Sequence, residues 1–161
     1  MPSKRYSVIN QYIKSGCIAP QVCHGLNNLW KLVPTMNQEQ KNVFLDWAEN
    51  SEYEIHLHGG DDEALEKLYE TVKSIDGIPV SKFNEPGLRN SCTVVSFVAS
   101  ERIVAANNYI RWNRVPMKNV ASILSGLGFV ELGIDGGTEF VPLTLAEITV
   151  AEYISKLATA S

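Results

Sequence analysis

The chain has 161 residues, 45% of them hydrophobic and 20% charged, an ordinary globular balance with enough length for one good core and a small appendage. No apolar run is long enough to span a membrane, and the opening MPSKRYSV lacks the hydrophobic region of a signal peptide. The net charge of −4 and a pI near 5.4 argue against a broad nucleic-acid footprint and leave room only for a local basic patch.

Cys17, Cys23 and Cys92 are odd in number and lack disulfide-like spacing, so reduced thiols and a cytoplasmic setting are expected. Residues 6–13, YSVINQYI, read as a first strand. The stretch 16–30, GCIAPQVCHGLNNLW, reads as the helix that organises the domain, with Ser15 as its cap. Ile18, Val22, Leu26, Leu29 and Val33 form one apolar stripe at helical period. Cys17, Gln21, His24 and Asn28 form a polar stripe beside it. Free backbone N–H groups at its entrance suit an anion or a thiolate. Pro34 ends or kinks the helix.

A second helix is expected over 37–50, with Val43, Phe44 and Trp47 on its apolar face. Residues 53–58 alternate as a strand, and Gly59-Gly60 stops it. Asp61, Asp62 and Glu63 place negative charge at the start of a third helix, carried by Leu65, Leu68, Tyr69 and Val72. A short strand at 78–83, a loop at 84–90 and a buried central strand at 93–99 follow. Ser100 caps a fourth helix ending near Trp112.

The order β-α-α-β-α-β-β-α implies an α/β fold with a four-stranded mixed sheet flanked by helices. Residues 113–161 form a C-terminal α+β extension, packed on that domain or appended to it. A helix is expected at 116–127, strands at 129–132 and 138–143 around Asp135-Gly136-Gly137, and a last helix behind the Thr144/Glu147 capping box. Three roles stay open for the extension: covering a sheet edge, pairing subunits into a homodimer or engaging a protein partner. Its few basic residues argue against a winged nucleic-acid module.

The motif G-x-I-A-x-Q-x-x-H (Gly16, Ile18, Ala19, Gln21, His24) resembles the opening helix of the type II peptidyl-tRNA hydrolases. The resemblance covers about residues 6 to 112. It includes EIHLHGGDDEAL at 54–65, Gly77-Ile78-Pro79, and Glu85-Pro86-Gly87 leading to Thr93-Val94-Val95, similar to that family's D-A-G loop and T-V-L strand. It implies the same four-stranded fold for residues 1–112, hydrolysis of the ester joining peptide to tRNA, and peptidyl-tRNA as partner. No cofactor and no metal are implied.

The family lysine, aspartate and threonine correspond here to Cys17, Glu85 and Arg89, and the loop to Thr93 is about four residues shorter. Gln21, His24, Gly87 and Thr93 are retained. On this basis Glu85, His24 and Cys17 are the catalytic candidates: Glu85 to activate water, His24 as a proton-transfer partner, Cys17 as an alternative nucleophile. Cys17 and His24 lie about 10 Å apart by helix rise, too far for a dyad. Lys14, Gln21, Arg89 and Thr93 are the substrate-binding candidates, with Lys14 or Arg89 replacing the lost positive charge. A basic cleft near Lys14, Lys82 and Arg89, with Glu85 facing His24, is the expected geometry. His56 and His58 share a strand face, but two ligands make no metal site. The alternative is a non-catalytic member of the fold that binds tRNA, a nucleotide or a protein.

Overall fold

In the computed structural model, which describes residues 3–113, 129–132 and 138–160, a four-stranded mixed sheet lies between two helical layers. Strands β1 (Lys4–Ile9), β2 (Glu54–His58), β3 (Val80–Glu85) and β4 (Ser91–Ala99) stand in the order β2-β1-β4-β3. β1 and β2 are parallel, because two helices carry the chain back between them. β4 runs antiparallel to both β1 and β3. It sits at the centre, and every residue from Cys92 to Ala99 is buried, which explains its unbroken apolar run.

The helices are α1 (Ile18–Leu32), α2 (Gln38–Asp46), α3 (Asp62–Lys73), α4 (Glu101–Asn113) and α5 (Leu145–Lys156). Strand alternation divides them between the faces. Tyr6, Val8, Val95 and Phe97 meet α3, α4 and α5 in the larger core, with Leu65, Leu68, Ile103 and Ile154. Ile9, Val94 and Val98 point the other way, toward α1 and α2. The apolar stripe of α1 is buried there as its spacing implies: Ile18 and Val22 pack at one end, Leu26, Leu29 and Val33 at the other.

Several boundaries differ from the sequence reading, each for a local reason. β1 ends at Ile9, not at 13, because Asn10 turns the chain: its side-chain oxygen accepts the Tyr12 N–H (3.0 Å) and its carbonyl accepts the Ile13 N–H (3.0 Å). Ser15 does not cap α1. It opens a 3-10 turn, Ser15–Cys17; the Lys14 carbonyl takes the Cys17 N–H and the Ser15 carbonyl takes the Ile18 N–H, so part of the expected anion-binding entrance is already used. β3 runs two residues further than expected, to Glu85, and stops before Pro86, which has no N–H to donate. The second helix starts on an Asn37/Gln40 capping box and continues beyond α2 as a π turn, Trp47–Ser51.

Helix α5 packs on the main core. Strands β5 (Phe129–Leu132) and β6 (Thr138–Val141) pair antiparallel, and β6 ends before Pro142. Ile148, Val150, Ala151 and Ile154 of α5 enter the main core. The Thr144/Glu147 capping box is formed, and Arg102 of α4 donates to Glu147 Oε2 (3.1 Å). Beyond α5 the chain crosses to the β2 edge. The His58 N–H donates to the Ala158 carbonyl and the Ala160 N–H to the His56 carbonyl (both 2.9 Å). The helix expected over 116–127 and the turn at 135–137 lie outside the described residues. Among the described residues, no helix is long and apolar enough to cross a membrane.

Candidate functional site

The polar stripe of α1 lies along the edge strand β3, residue by residue. The Gln21 amide nitrogen donates to Glu85 Oε2 (3.3 Å). The His24 ring stacks on Phe83, with centroids 4.1 Å apart and planes 12° from parallel. The Asn28 amide nitrogen donates to the Lys82 carbonyl (3.0 Å). From Gln21 to Asn28 a helix advances about 10.5 Å, and from Glu85 back to Lys82 a strand spans about 10 Å, so the two stay in step over this length.

Close approach makes this docking work. A Cβ on Gly25 would lie 2.2 Å from Ser96 Oγ, so only glycine lets α1 sit this near the sheet. The Gly25 carbonyl accepts the Ser81 hydroxyl (2.7 Å), and Ser7 and Ser96 share a hydrogen bond (2.9 Å). Gly25, Ser7, Ser81 and Ser96 had no place in the sequence reading. Their signal is a small residue on a helix and serines in otherwise apolar strands, which acquires meaning only once they face one another.

At the end of this seam the sequence candidates come together. Thr93 donates its hydroxyl to Gln21 Oε1 (2.5 Å), and the Phe83 carbonyl lies within 3.3 Å as a second acceptor for the same proton. A β-bulge puts Thr93 there. Pairing with β3 passes from Phe83↔Val94 to Asn84↔Cys92, so Thr93 is the extra residue of β4. Thr93, Gln21 and Glu85 thus form one hydrogen-bonded chain, buried at Thr93 and Gln21 and half-buried at Glu85. Among the described residues, Glu85 Oε1 accepts a long bond from the Gly87 N–H (3.4 Å), and it keeps capacity for a further donor.

Beside this chain lies an open cleft of about 380 Å³. One wall is the turn after β1, with Asn10, Tyr12 and Ile13. The other is the β3–β4 connection, with Leu88 and Arg89, and Thr93 is part of the lining. Arg89 and Asn90 both have left-handed backbone, φ 54° and 61°, which is costly for residues with a Cβ. The Asn84 amide holds this turn through the Asn90 carbonyl (2.9 Å).

Other candidates lie apart from the chain. Cys17 is exposed, ahead of α1, and makes no capping hydrogen bond. Lys14 is exposed in the preceding turn. His24 is stacked on Phe83 rather than hydrogen-bonded to Glu85, which departs from the expected facing pair. Lys82 does not join a basic cleft either. It points to the opposite face of the sheet, where Glu66 Oε2 pairs with it and Tyr69 lies under its ammonium at 4.8 Å. That hydrogen bond to Glu66 holds Lys82 above its ordinary pKa. Strand alternation is the reason: Ser81, Phe83 and Glu85 face α1, so Lys82 cannot. Among the described residues, no three His, Cys, Asp or Glu side chains gather as a metal site.

Comparison with known proteins returns no matching protein-family model and no significant match to a curated protein.

Proposed function

We propose that this chain has the fold of the type II peptidyl-tRNA hydrolases and hydrolyses the ester between peptide and tRNA. The observation that carries the reading is the Thr93–Gln21–Glu85 chain, which joins three positions singled out by motif and separated by 64 and 72 residues of sequence. Thr93 fixes the amide orientation of Gln21, and Gln21 fixes one oxygen of Glu85. The other oxygen accepts a proton from water. The resulting hydroxide adds to the ester carbonyl carbon, and collapse of the tetrahedral intermediate breaks the bond to the ribose oxygen, which leaves with a proton. Arg89, on the cleft wall, supplies positive charge near the developing oxyanion. In this scheme Gln21 and Thr93 position the base instead of touching substrate.

The test is single-turnover cleavage of a peptidyl-tRNA by the wild type and by Glu85→Gln. Turnover by the wild type and its loss in the variant support the assignment. No turnover by folded wild-type protein sinks it.

A second reading, a non-catalytic binding protein, is favoured by one observation. The His24 ring is committed to Phe83 and both ends of the Gln21 amide are committed within the protein, so much of the stripe serves packing.

A further inference from the structure

A second pocket lies at the other edge of the sheet. β2 and β3 are the two edge strands, and Glu54 of β2 lines this pocket, whereas Glu85 ends β3. The pocket is an open cavity of about 330 Å³ between Trp30 of α1, Trp47 and Ala48 of the π turn, Glu52 and Glu54. Its lining therefore holds two indole rings and two carboxylates, with no lysine or arginine among them.

Both rings are held in place by the fold. Trp47 is buried, its Nε1 donates to the Tyr53 carbonyl (2.9 Å), and its ring packs against Phe44 with centroids 5.8 Å apart. Trp30 stands at 83° to the same phenylalanine, centroids 4.8 Å apart, yet is 48% exposed. A ring fixed at one edge and open to water at another loses little side-chain entropy on meeting a ligand. Glu52 closes the π turn: its N–H donates to the Trp47 carbonyl (2.8 Å), in left-handed backbone with φ 52°. That conformation is costly for a residue with a Cβ.

The charges around the pocket do not cancel. Buried Arg5 lies 5.3 Å from the Trp47 ring, and Glu54 Oε1 pairs with it. The other Glu54 oxygen lies 3.5 Å from His56 Nε2. Glu52 is exposed and, among the described residues, its carboxylate has no partner. The pocket thus offers indole surface and one uncommitted negative charge, which together attract a cation. A primary ammonium would bring three N–H donors and a guanidinium five, each needing an acceptor once out of water. With Glu54 engaged, Glu52 alone is left to serve them. A trimethylammonium group has no N–H, and its charge is spread over methyl groups that pack on indole faces. We propose that Trp30, Trp47 and Glu52 form a binding site for a trimethylammonium group, borne by a small molecule such as choline or by a trimethylated lysine side chain. None of these residues belongs to the Thr93–Gln21–Glu85 chain, so the site does not depend on the hydrolase reading.

The test is titration calorimetry of the full chain with choline and with its uncharged isostere, in which carbon replaces the nitrogen. Choline should bind saturably, and the isostere about tenfold more weakly, the size of a partly desolvated cation–π contact. Trp30→Ala should weaken choline binding by about as much, and Trp30→Phe by less, because a phenyl face remains. Glu52→Gln, at an exposed side chain that leaves the fold intact, should weaken binding and flatten its salt dependence. A short peptide carrying trimethyl-lysine identifies the source. Binding tighter than choline, and lost in the unmethylated peptide, assigns a methylated protein; choline bound as tightly as the peptide assigns a small molecule. The inference is overturned if neither ligand binds saturably at millimolar concentration, or if ethanolamine or the uncharged isostere binds as tightly as choline. Unchanged choline binding by Glu52→Gln or by folded Trp30→Ala would overturn it as well.

Discussion

Gln21 on α1 donates to Glu85 at the end of β3 while its amide oxygen accepts from Thr93. This single side chain couples a helix, an edge strand and a β-bulge on the central strand. It follows that the carboxylate should be separable from the scaffold by mutation. Glu85 is half-buried and terminates its strand, so Glu85→Gln should leave thermal stability nearly unchanged. Peptidyl-tRNA cleavage should fall by about 10²–10⁴-fold, the usual contribution of a general base. A loss smaller than tenfold would show that Glu85 is not the base.

Gly25→Ala should destabilise the fold. The new Cβ would meet Ser96 Oγ at 2.2 Å and Ser96 Cβ at 3.0 Å, in a buried seam that cannot open without moving α1. Overpacking of this kind costs about 1–3 kcal/mol. Adding Ser96→Ala removes the nearer atom, so the double variant should recover part of the loss. Urea unfolding of the four-member cycle measures the coupling, and strict additivity would mean that α1 has room at this point.

Arg5 is 1% exposed and its charge is balanced by Glu54, which accepts from its Nε (3.1 Å) and Nη2. The guanidinium also donates to Ser7 Oγ (3.2 Å) and lies 5.3 Å from the Trp47 ring. Glu54→Ala would leave that cation buried without a carboxylate, at a cost of about 3 kcal/mol, the lower part of the range for a broken buried pair because Glu54 is 35% exposed. Glu54→Gln keeps an acceptor and should cost less. Chemical denaturation orders the two variants, and an equal loss would mean that charge is unimportant there.

Burial raises the Cys92 thiol from 9.0 and the Tyr6 phenol from 10.0, each to about 12. Below pH 9 both groups hold their protons in the folded and unfolded chains, so neither adds pH dependence. Above 9.0 the unfolded thiol ionises and the folded one does not, and above 10.0 the phenol does the same. The unfolded chain then binds fewer protons, and stability falls as pH rises toward 12, by up to about 1.4 kcal/mol per pH unit per group. Cys92→Ala should remove the part of the fall between pH 9 and 10. Urea midpoints from pH 8 to 11 test this, and a slope unchanged in Cys92→Ala would assign the effect elsewhere.

Thiol labelling gives a simpler check on the same core. Cys17 and Cys23 are exposed and Cys92 is buried. A chromogenic disulfide reagent should react quickly with two thiols per chain and with the third only on unfolding. Three fast thiols would contradict the packing of β4.

Much of the architecture was written in local pattern. The apolar stripe of α1, the acidic start of α3, the unbroken run of β4 and the Thr144/Glu147 capping box are all short-range signals, and each appears where the residues place it. The polar stripe of α1 was equally visible, but its meaning was not. Whether Gln21, His24 and Asn28 face a ligand or a strand depends on where β3 passes, and β3 is more than 50 residues away. The serines opposite Gly25, the bulge that turns Thr93 toward Gln21, and the alternation that sends Lys82 to Glu66 are likewise products of strand pairing. So is the placing of Tyr12 and Arg89 on opposite walls of one cleft. Periodicity reports which face of an element is apolar. Only the tertiary fold decides what that face meets, because the partners come from distant parts of the chain and are brought together by burial and backbone hydrogen bonding.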